Sequence, residues 1–148
     1  MRRVFGDTLY WLAIFLPGDA WADAARSSDV SEALLITTEE VLTEFLAAVS
    51  AHGDHTRRLA CRLVREILND SEIEVISQSH ESFLAGLALY ERRPDKQYSL
   101  VDCISMNVMR QRHVQEIPHK RPPLLSGGLR PAPGEERLNT SPEWGKAV

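Results

Sequence analysis

The segment VFGDTLYWLAIFL, residues 4–16, passes from a short apolar run directly into a helical pattern, with Asp7 at the junction. The apolar run predicts a buried strand over residues 3–6, and the following pattern predicts a helix that begins at Thr8. The same order returns further along, where residues 34–37 predict a second strand and residues 38–50 a second helix, capped by Thr37 or Thr38. A strand followed by a helix, twice, predicts parallel pairing of the two strands.

The rest of the first 112 residues continues this alternation. We predict a helix over residues 55–69, a strand over 72–77 and a helix over 80–93 that Pro94 ends. Ser99 is the predicted cap of a last helix, which runs to about Arg112. The predicted inward positions are Val41, Phe45 and Val49 of the second helix, Leu59, Leu63 and Ile67 of the third, and Phe83, Leu84, Leu87 and Tyr90 of the fourth.

Composition indicates one ordinary globular domain in a reducing compartment. A chain of 148 residues can bury a core, and a net charge of -4 provides no overall field that would attract nucleic acid. Cys61 and Cys103 both fall in apolar helical patterns, which predicts buried thiols and no disulfide. The uninterrupted apolar stretch over residues 9–16 is far too short to span a bilayer, so we expect a cytoplasmic protein without membrane contact.

The character of the chain changes after Arg112. Six of the eight prolines fall within residues 113–148, where apolar residues follow neither the helical nor the strand period. We therefore predict a domain over residues 1–112 and a largely disordered tail over residues 113–148. Because the last predicted helix leads into this tail, the parallel sheet would lack the strand that should follow that helix.

Three segments together resemble the PIN-domain ribonucleases, in particular the VapC-type toxins of bacterial toxin–antitoxin pairs. They are VFGDTLYWLA, LLITTEEVLTEFL and FLAGLALYERRPDKQYSLVDCISMNVM, and they occur in the family's order at family-like separations between about residues 3 and 112. The string from Asp95 to Ser105 is the most specific of them. The resemblance implies a three-layer α/β/α sandwich with a mainly parallel sheet.

The resemblance also implies an activity and a site. Asp7, Glu44 and Asp102 match the family's acidic residues, which bind Mg²⁺ or Mn²⁺ and cleave RNA to a 5′-phosphate and a 3′-hydroxyl. Mg²⁺ prefers oxygen ligands and retains several waters, so carboxylates can hold it while leaving room for a substrate phosphate. The implied partners are RNA, a cognate antitoxin protein and, for an intact domain, a second copy of the chain.

Each candidate residue also has a structural interpretation. Asp7 can simply cap the helix beginning at Thr8, and Ser99 with Asp102 has the form of a capping box. Glu44 borders the apolar stripe, where solvated glutamates are common. The hydroxyls of Thr8 and Ser99 are candidates to orient metal ligands, with helix capping as the alternative. Arg58, Arg62 and Arg65 form a basic stripe that either contacts RNA phosphates or is only solvated.

The family pattern fails after Arg112, where a strand and a Leu-Thr-x-Asp-x-His-Phe stretch with a fourth acid normally follow. If the codons from Pro118 onward are read from their second base, the fixed bases permit Leu-Thr-Ser-Asp-Arg-His-Phe. We therefore hypothesise a frameshift near Arg112, which would leave the chain an impaired ribonuclease. The competing interpretations are a non-catalytic protein that still binds an antitoxin and a decayed gene product.

Overall fold

A three-stranded parallel sheet organises the protein. The computed structural model describes residues 1–16 and 33–114. Within these residues, β1 is Arg2–Phe5, β2 is Ala33–Thr38 and β3 is Ile73–Ile76, and they pair in the order β1-β2-β3. Both pairings are parallel, so the predicted parallel sheet is confirmed.

Five helices accompany the sheet in the described part of the chain, and each corresponds to a predicted one. They are α1 (Thr8–Phe15), α2 (Glu39–Val49), α3 (Gly53–Asn69), α4 (His80–Arg92) and α5 (Leu100–Gln111). Of the two candidate caps for α2, Thr38 is the one whose side chain accepts from Val41 N, at 3.1 Å. The arrangement is the α/β sandwich that the sequence predicts.

The core lies where α1 and α2 pack against each other beside the sheet. Val4, Phe5, Ile36 and Phe45 are at most 1% exposed. The predicted inward stripe of α2 is confirmed, because its positions Val41, Phe45 and Val49 are all buried. Full burial of a side chain of this size contributes about 1.5–3 kcal/mol relative to exposure, so this cluster is the main support of the sheet's position.

The predicted inward face of α3 is wrong in part. Leu59 is 38% exposed and Cys61 is exposed, whereas Ala60 and Ile67 are buried. Ile67 is buried and Leu63 is partly buried against the core, as predicted, so the structure differs from the prediction only in placing Ala60 inward and Leu59 outward. Since a helix presents one face, Cys61 falls beside the buried stripe, and the prediction of two buried thiols holds only for Cys103.

The predicted inward face of α4 is wrong for three of its four positions, since only Leu87 is half-buried. Phe83, Leu84 and Tyr90 are 45%, 48% and 50% exposed, and the buried positions are Gly86 and Leu89. A Cβ atom added at Gly86 would lie 2.4 Å from Ile104 Cγ1 of α5. The missing side chain at Gly86 thus allows α4 and α5 to approach closely, which decides which side of α4 faces inward.

The end of α5 is a Schellman motif. His113 has a φ of 54°, Val114 N donates to Met109 O at 2.9 Å, and His113 N donates to Arg110 O at 3.3 Å. These are the two hydrogen bonds that define the motif, and the accompanying apolar contact is present because Val114 is buried in the core cluster. Residues 113 and 114 therefore complete the end of α5.

Arg112 connects this end of α5 to the sheet. Its carbonyl oxygen accepts from Arg3 Nη1 at 2.8 Å, and its Nη1 lies 2.8 Å from Glu74 Oε1. The predicted disordered tail began at His113, so the structure corrects it at its first two residues, which belong to the end of α5. The rest of that tail, residues 115–148, and with it the predicted missing strands and missing fourth acid, lies outside the described residues. Within the described ranges, no helix is both long and apolar enough to cross a membrane.

Candidate functional site

The first acid, Asp7, stands where β1 ends and α1 begins. Its Oδ1 accepts a hydrogen bond from Tyr10 N at 2.8 Å, so the capping interpretation is correct. Its other oxygen, Oδ2, has no hydrogen-bond partner among the described residues. Capping and ligand roles are therefore compatible, because each uses a different oxygen.

A buried network fixes the position of this junction. The Thr37 hydroxyl donates to Gly6 O at 2.8 Å and accepts from Trp11 Nε1 at 3.2 Å. Gly6 N also donates to Ile36 O at 2.8 Å, which extends the sheet ladder to the residue before Asp7. A Cβ at Gly6 would lie 3.1 Å from Tyr10 Cδ1 and 3.2 Å from Trp11 Cε2, so a side chain there would require a small shift of these rings.

The second acid, Glu44, contacts the residue next to Asp7. Thr8 Oγ1 donates to Glu44 Oε2 at 2.5 Å, across the contact between α1 and α2. Glu44 is half-buried, and its Oε1 has no hydrogen-bond partner in the described ranges. The predicted orienting role of Thr8 thus has a structural basis, since its hydroxyl restrains the glutamate side chain.

The third acid, Asp102, lies in the first turn of α5. Its Oδ2 accepts from Ser99 N at 2.9 Å, and Asp102 N donates to Ser99 Oγ at 3.0 Å. The predicted capping box is therefore present. Asp102 is exposed, and no partner is seen for its Oδ1 in the residues described.

The three carboxylates, which we call the acidic triad, share one property. Each uses one oxygen in a local hydrogen bond and keeps the other without a partner among residues 1–16 and 33–114. Such oxygens are the hard, charged ligands that Mg²⁺ and Mn²⁺ prefer. The packing of α2 against α5 brings the helices of Glu44 and Asp102 into contact. However, no set of three or more acidic, histidine or cysteine side chains in the described ranges is grouped closely enough to hold a metal ion.

Near the start of α5, burial and two charged side chains affect the pKa of the Cys103 thiol. Its pKa is raised, first by burial and then by the neighbouring Asp102 carboxylate, while the Arg93 guanidinium acts in the opposite direction. A positive and a negative charge therefore both lie near this thiol. Sequence reasoning did not single out Arg93, although the string RRPDKQY just before Ser99 places basic and aromatic residues together.

The basic stripe of α3 lies on a helix that carries none of the triad. Arg58, Arg62 and Arg65 are all exposed, as predicted. Arg58 Nη2 lies 2.8 Å from Asp54 Oδ2, one helical turn away, so part of its charge is already paired on the surface. Contact between this stripe and RNA stays a prediction.

Two further glutamates, which the sequence did not single out, connect α2 to the start of α4. Glu39 Oε2 accepts from Gln78 N at 2.9 Å, and Glu40 Oε1 accepts from Ser82 Oγ at 3.2 Å. An open groove of about 380 Å³ lies beside this contact; its lining includes Glu40, Phe83 and Ile104. Glu39 and Glu40 thus help to position α4, and each, like the triad residues, uses one oxygen in a hydrogen bond and keeps the other without a partner in the described ranges.

Comparison with solved structures finds proteins of similar fold, one of which is a bacterial toxin. The chain is similar to the crystal structure of VapC20 of Mycobacterium tuberculosis, described as a sarcin–ricin loop cleaving toxin, with a TM-score of 0.65 and 24% sequence identity. The match covers 76% of this chain and 85% of that one. No family model matches the chain, and no curated protein matches its sequence. The similarity confirms the predicted PIN-like fold.

Proposed function

We propose that this protein is a divalent-metal-dependent endoribonuclease that acts as the toxin of a toxin–antitoxin pair. The observation that carries the proposal is the Thr8–Glu44 hydrogen bond of 2.5 Å, which holds a carboxylate of α2 beside the Asp7 junction. Both residues follow parallel strands, and the carboxyl ends of parallel strands are the usual place for a site in such folds. The fold shared with VapC20, a toxin that cleaves the sarcin–ricin loop, supports the same assignment.

The three carboxylates of the acidic triad are not grouped closely enough to hold an ion in this structure, so they would have to draw together around Mg²⁺ or Mn²⁺, which they would bind through the oxygens that local hydrogen bonds leave unused. A bound ion of this kind supplies an activated water and neutralises charge that develops on phosphate oxygens. The protein's own residues prepare the ligands: Thr8 restrains Glu44, and Ser99 restrains Asp102 through the capping box. Hydrogen bonds from neighbouring residues, such as these two, orient metal ligands and set the affinity of the site for metal.

The direct test is cleavage of RNA by the full chain. We expect hydrolysis in Mg²⁺ or Mn²⁺ and none in EDTA, with a sarcin–ricin loop hairpin among the RNAs tested because VapC20 is described as cleaving that loop. Asp7→Asn, Glu44→Gln and Asp102→Asn should each remove cleavage, and Glu66→Gln on exposed α3 provides a matched carboxamide control. Metal-dependent cleavage that survives all three substitutions would exclude the triad.

Binding of an antitoxin without cleavage is the second candidate function. The observation that favours it is the exposed apolar side of α4, where Phe83, Leu84 and Tyr90 are each at least 45% exposed. An amphipathic segment of a partner protein buries such a face when it docks between helices. We propose that α4 contributes to antitoxin binding and, in an intact domain, to pairing of two copies. Adding Mg²⁺ or Mn²⁺ distinguishes a ribonuclease from a protein that only binds an antitoxin, because only the ribonuclease would then cleave RNA.

We further propose that the altered sequence after Arg112 reduces activity and that the protein acts in the cytoplasm. A metal site built from the triad alone lacks the fourth acid of the family pattern, and fewer ligands hold an ion and its water less firmly. The nucleotide sequence across codons 105–125 tests the frameshift directly. Arg58, Arg62 and Arg65 would add only a salt-sensitive, auxiliary contact with RNA.

A further inference from the structure

A cation–aromatic pair joins the end of α4 to the start of α5. The guanidinium carbon of Arg93 lies 5.7 Å from the centroid of the Tyr98 ring, over its face. Arg93 Nε also lies 3.4 Å from Asp95 Oδ1. Two neighbours therefore hold this guanidinium in a defined place, and neither contact belongs to the acidic triad.

The pair lies at the same end of α5 as Asp102. Tyr98 directly precedes Ser99, which forms the capping box with Asp102. Because Arg93 lies over the Tyr98 ring and Tyr98 adjoins the capping box, the guanidinium lies at the end of α5 that carries Asp102. Even so, no ion pair links Arg93 to Asp102 in the described part of the chain. The guanidinium thus lies at the same end of α5 as the Asp102 carboxylate and is not paired with it.

Arg93 retains hydrogen-bonding capacity. Its side chain is 42% exposed, and only its Nε is engaged by Asp95. The two Nη amino groups have no hydrogen-bond partner within residues 1–16 and 33–114. Tyr98 is 36% exposed, so part of its ring is also accessible. A planar guanidinium of this kind, oriented by a ring, is well suited to bind a phosphate group through two donors.

Building on the proposed ribonuclease function, we propose that Arg93 binds the phosphate backbone of single-stranded RNA beside Asp102, with Tyr98 holding the guanidinium and offering ring surface to a base. Single-stranded nucleic acids bind where a positive charge follows the backbone and an aromatic side chain stacks on a base. Arg93 then positions the strand so that a phosphodiester lies at the acidic triad. It takes no part in bond breaking.

The test is RNA binding by the full chain in EDTA, with a fluorescently labelled single-stranded RNA and a titration of NaCl. Arg93→Ala should weaken binding roughly tenfold and lower the slope of log affinity against log salt by about 0.7, the effect of one lost phosphate contact. Arg92→Ala is the matched control, because Arg92 is the exposed neighbour with the same charge and should leave both quantities unchanged. Equal behaviour of the two variants would overturn the inference.

Two more variants separate RNA contact from a structural role. Arg93→Lys keeps the charge and should retain the salt slope while affinity falls, because an ammonium group lacks the planar pair of donors. Tyr98→Phe should bind as the unaltered chain does, whereas Tyr98→Leu should bind more weakly. If Arg93→Ala binds RNA more weakly only because its melting temperature is lower, and the slope against salt is unchanged, the proposal is contradicted.

The results that would refute the role of Arg93 differ from those that would refute the ribonuclease proposal. Metal-dependent cleavage by a chain in which Arg93→Ala and Arg92→Ala behave alike would refute the role of Arg93 alone. Binding that depends on Arg93, without any cleavage in Mg²⁺ or Mn²⁺, would support the RNA contact and refute the enzyme. A chain with no affinity for single-stranded RNA would overturn the inference.

Discussion

Thr8 donates a hydrogen bond of 2.5 Å to Glu44, although 36 positions separate them in the sequence. The bond joins the start of α1 to the middle of α2 and restrains one oxygen of a half-buried carboxylate. An acid that must bind a metal in a fixed geometry benefits from such a restraint, because its side chain then loses less freedom on binding.

Thr8→Val should reduce metal-dependent cleavage by about 10- to 100-fold, the usual effect of losing a contact that orients a metal ligand. Valine keeps the shape of threonine but cannot donate to Glu44. Thr8→Ser should retain most of the activity. Thr43→Val is the control, because exposed Thr43 donates only to Glu39 O within its own helix. Steady-state kinetics of the three variants provide the measurement, and an equal loss in Thr43→Val would argue against a specific role for Thr8.

Gly86→Ala should destabilise the fold by about 1–3 kcal/mol, as overpacking of a close contact does. The reason is the 2.4 Å separation between the new Cβ and Ile104 Cγ1. Urea unfolding measures the effect. In an Ile104→Ala background the clash is absent, so the same change should instead stabilise, because alanine favours helix over glycine by about 1 kcal/mol. If Gly86→Ala changes the free energy of unfolding equally in both backgrounds, the contact with Ile104 is not the source of the strain.

His113→Gly should stabilise the protein by about 0.5–1 kcal/mol. His113 has a φ of 54°, a conformation that glycine adopts without the penalty of a side chain. Gln111→Gly, at the last residue of α5, should do the opposite and cost up to about 1 kcal/mol. Thermal unfolding compares the two. A loss of stability in His113→Gly would show that the imidazole contributes more than the backbone strain costs.

Restoring the alternative reading frame after Arg112 should raise the specific ribonuclease activity by at least about tenfold, because a further carboxylate would position the metal and its water more firmly. Both chains are assayed at the same Mg²⁺ concentration, each beside its own Asp102→Asn variant as background. Equal activity of the two chains would show that the fourth acid is dispensable.

The positions of the helices and strands could be predicted because local signals agree with the fold. Asp7, Thr38 and Ser99 each begin a helix, as their side chains indicate, and strand–helix alternation implied the parallel sheet. Which face of a helix points inward was less predictable. On α4, the close contact of Gly86 with Ile104 outweighs the larger apolar side chains such as Phe83, and such a contact depends on a neighbour distant in sequence.

The candidate site was predictable as a set of residues and not as a geometry. Resemblance selected Asp7, Glu44 and Asp102, but the sequence left open whether two of them only cap helices. The structure shows that capping occupies one oxygen of each, which a pattern of residue types cannot reveal. The contact between Arg93 and Tyr98 was missed because neither residue follows a period, and its significance arises only from the turn between α4 and α5.

An RNA cleavage assay on the Asp102→Asn variant tests most directly whether the protein is a metal-dependent ribonuclease centred on the acidic triad. Asparagine can still accept the hydrogen bond from Ser99 N, which is 2.9 Å long in the structure, so the cap and the melting temperature should change little. We expect cleavage in Mg²⁺ or Mn²⁺ for the unaltered chain and none for a folded Asp102→Asn variant. Cleavage by that variant at the unaltered rate would contradict this expectation.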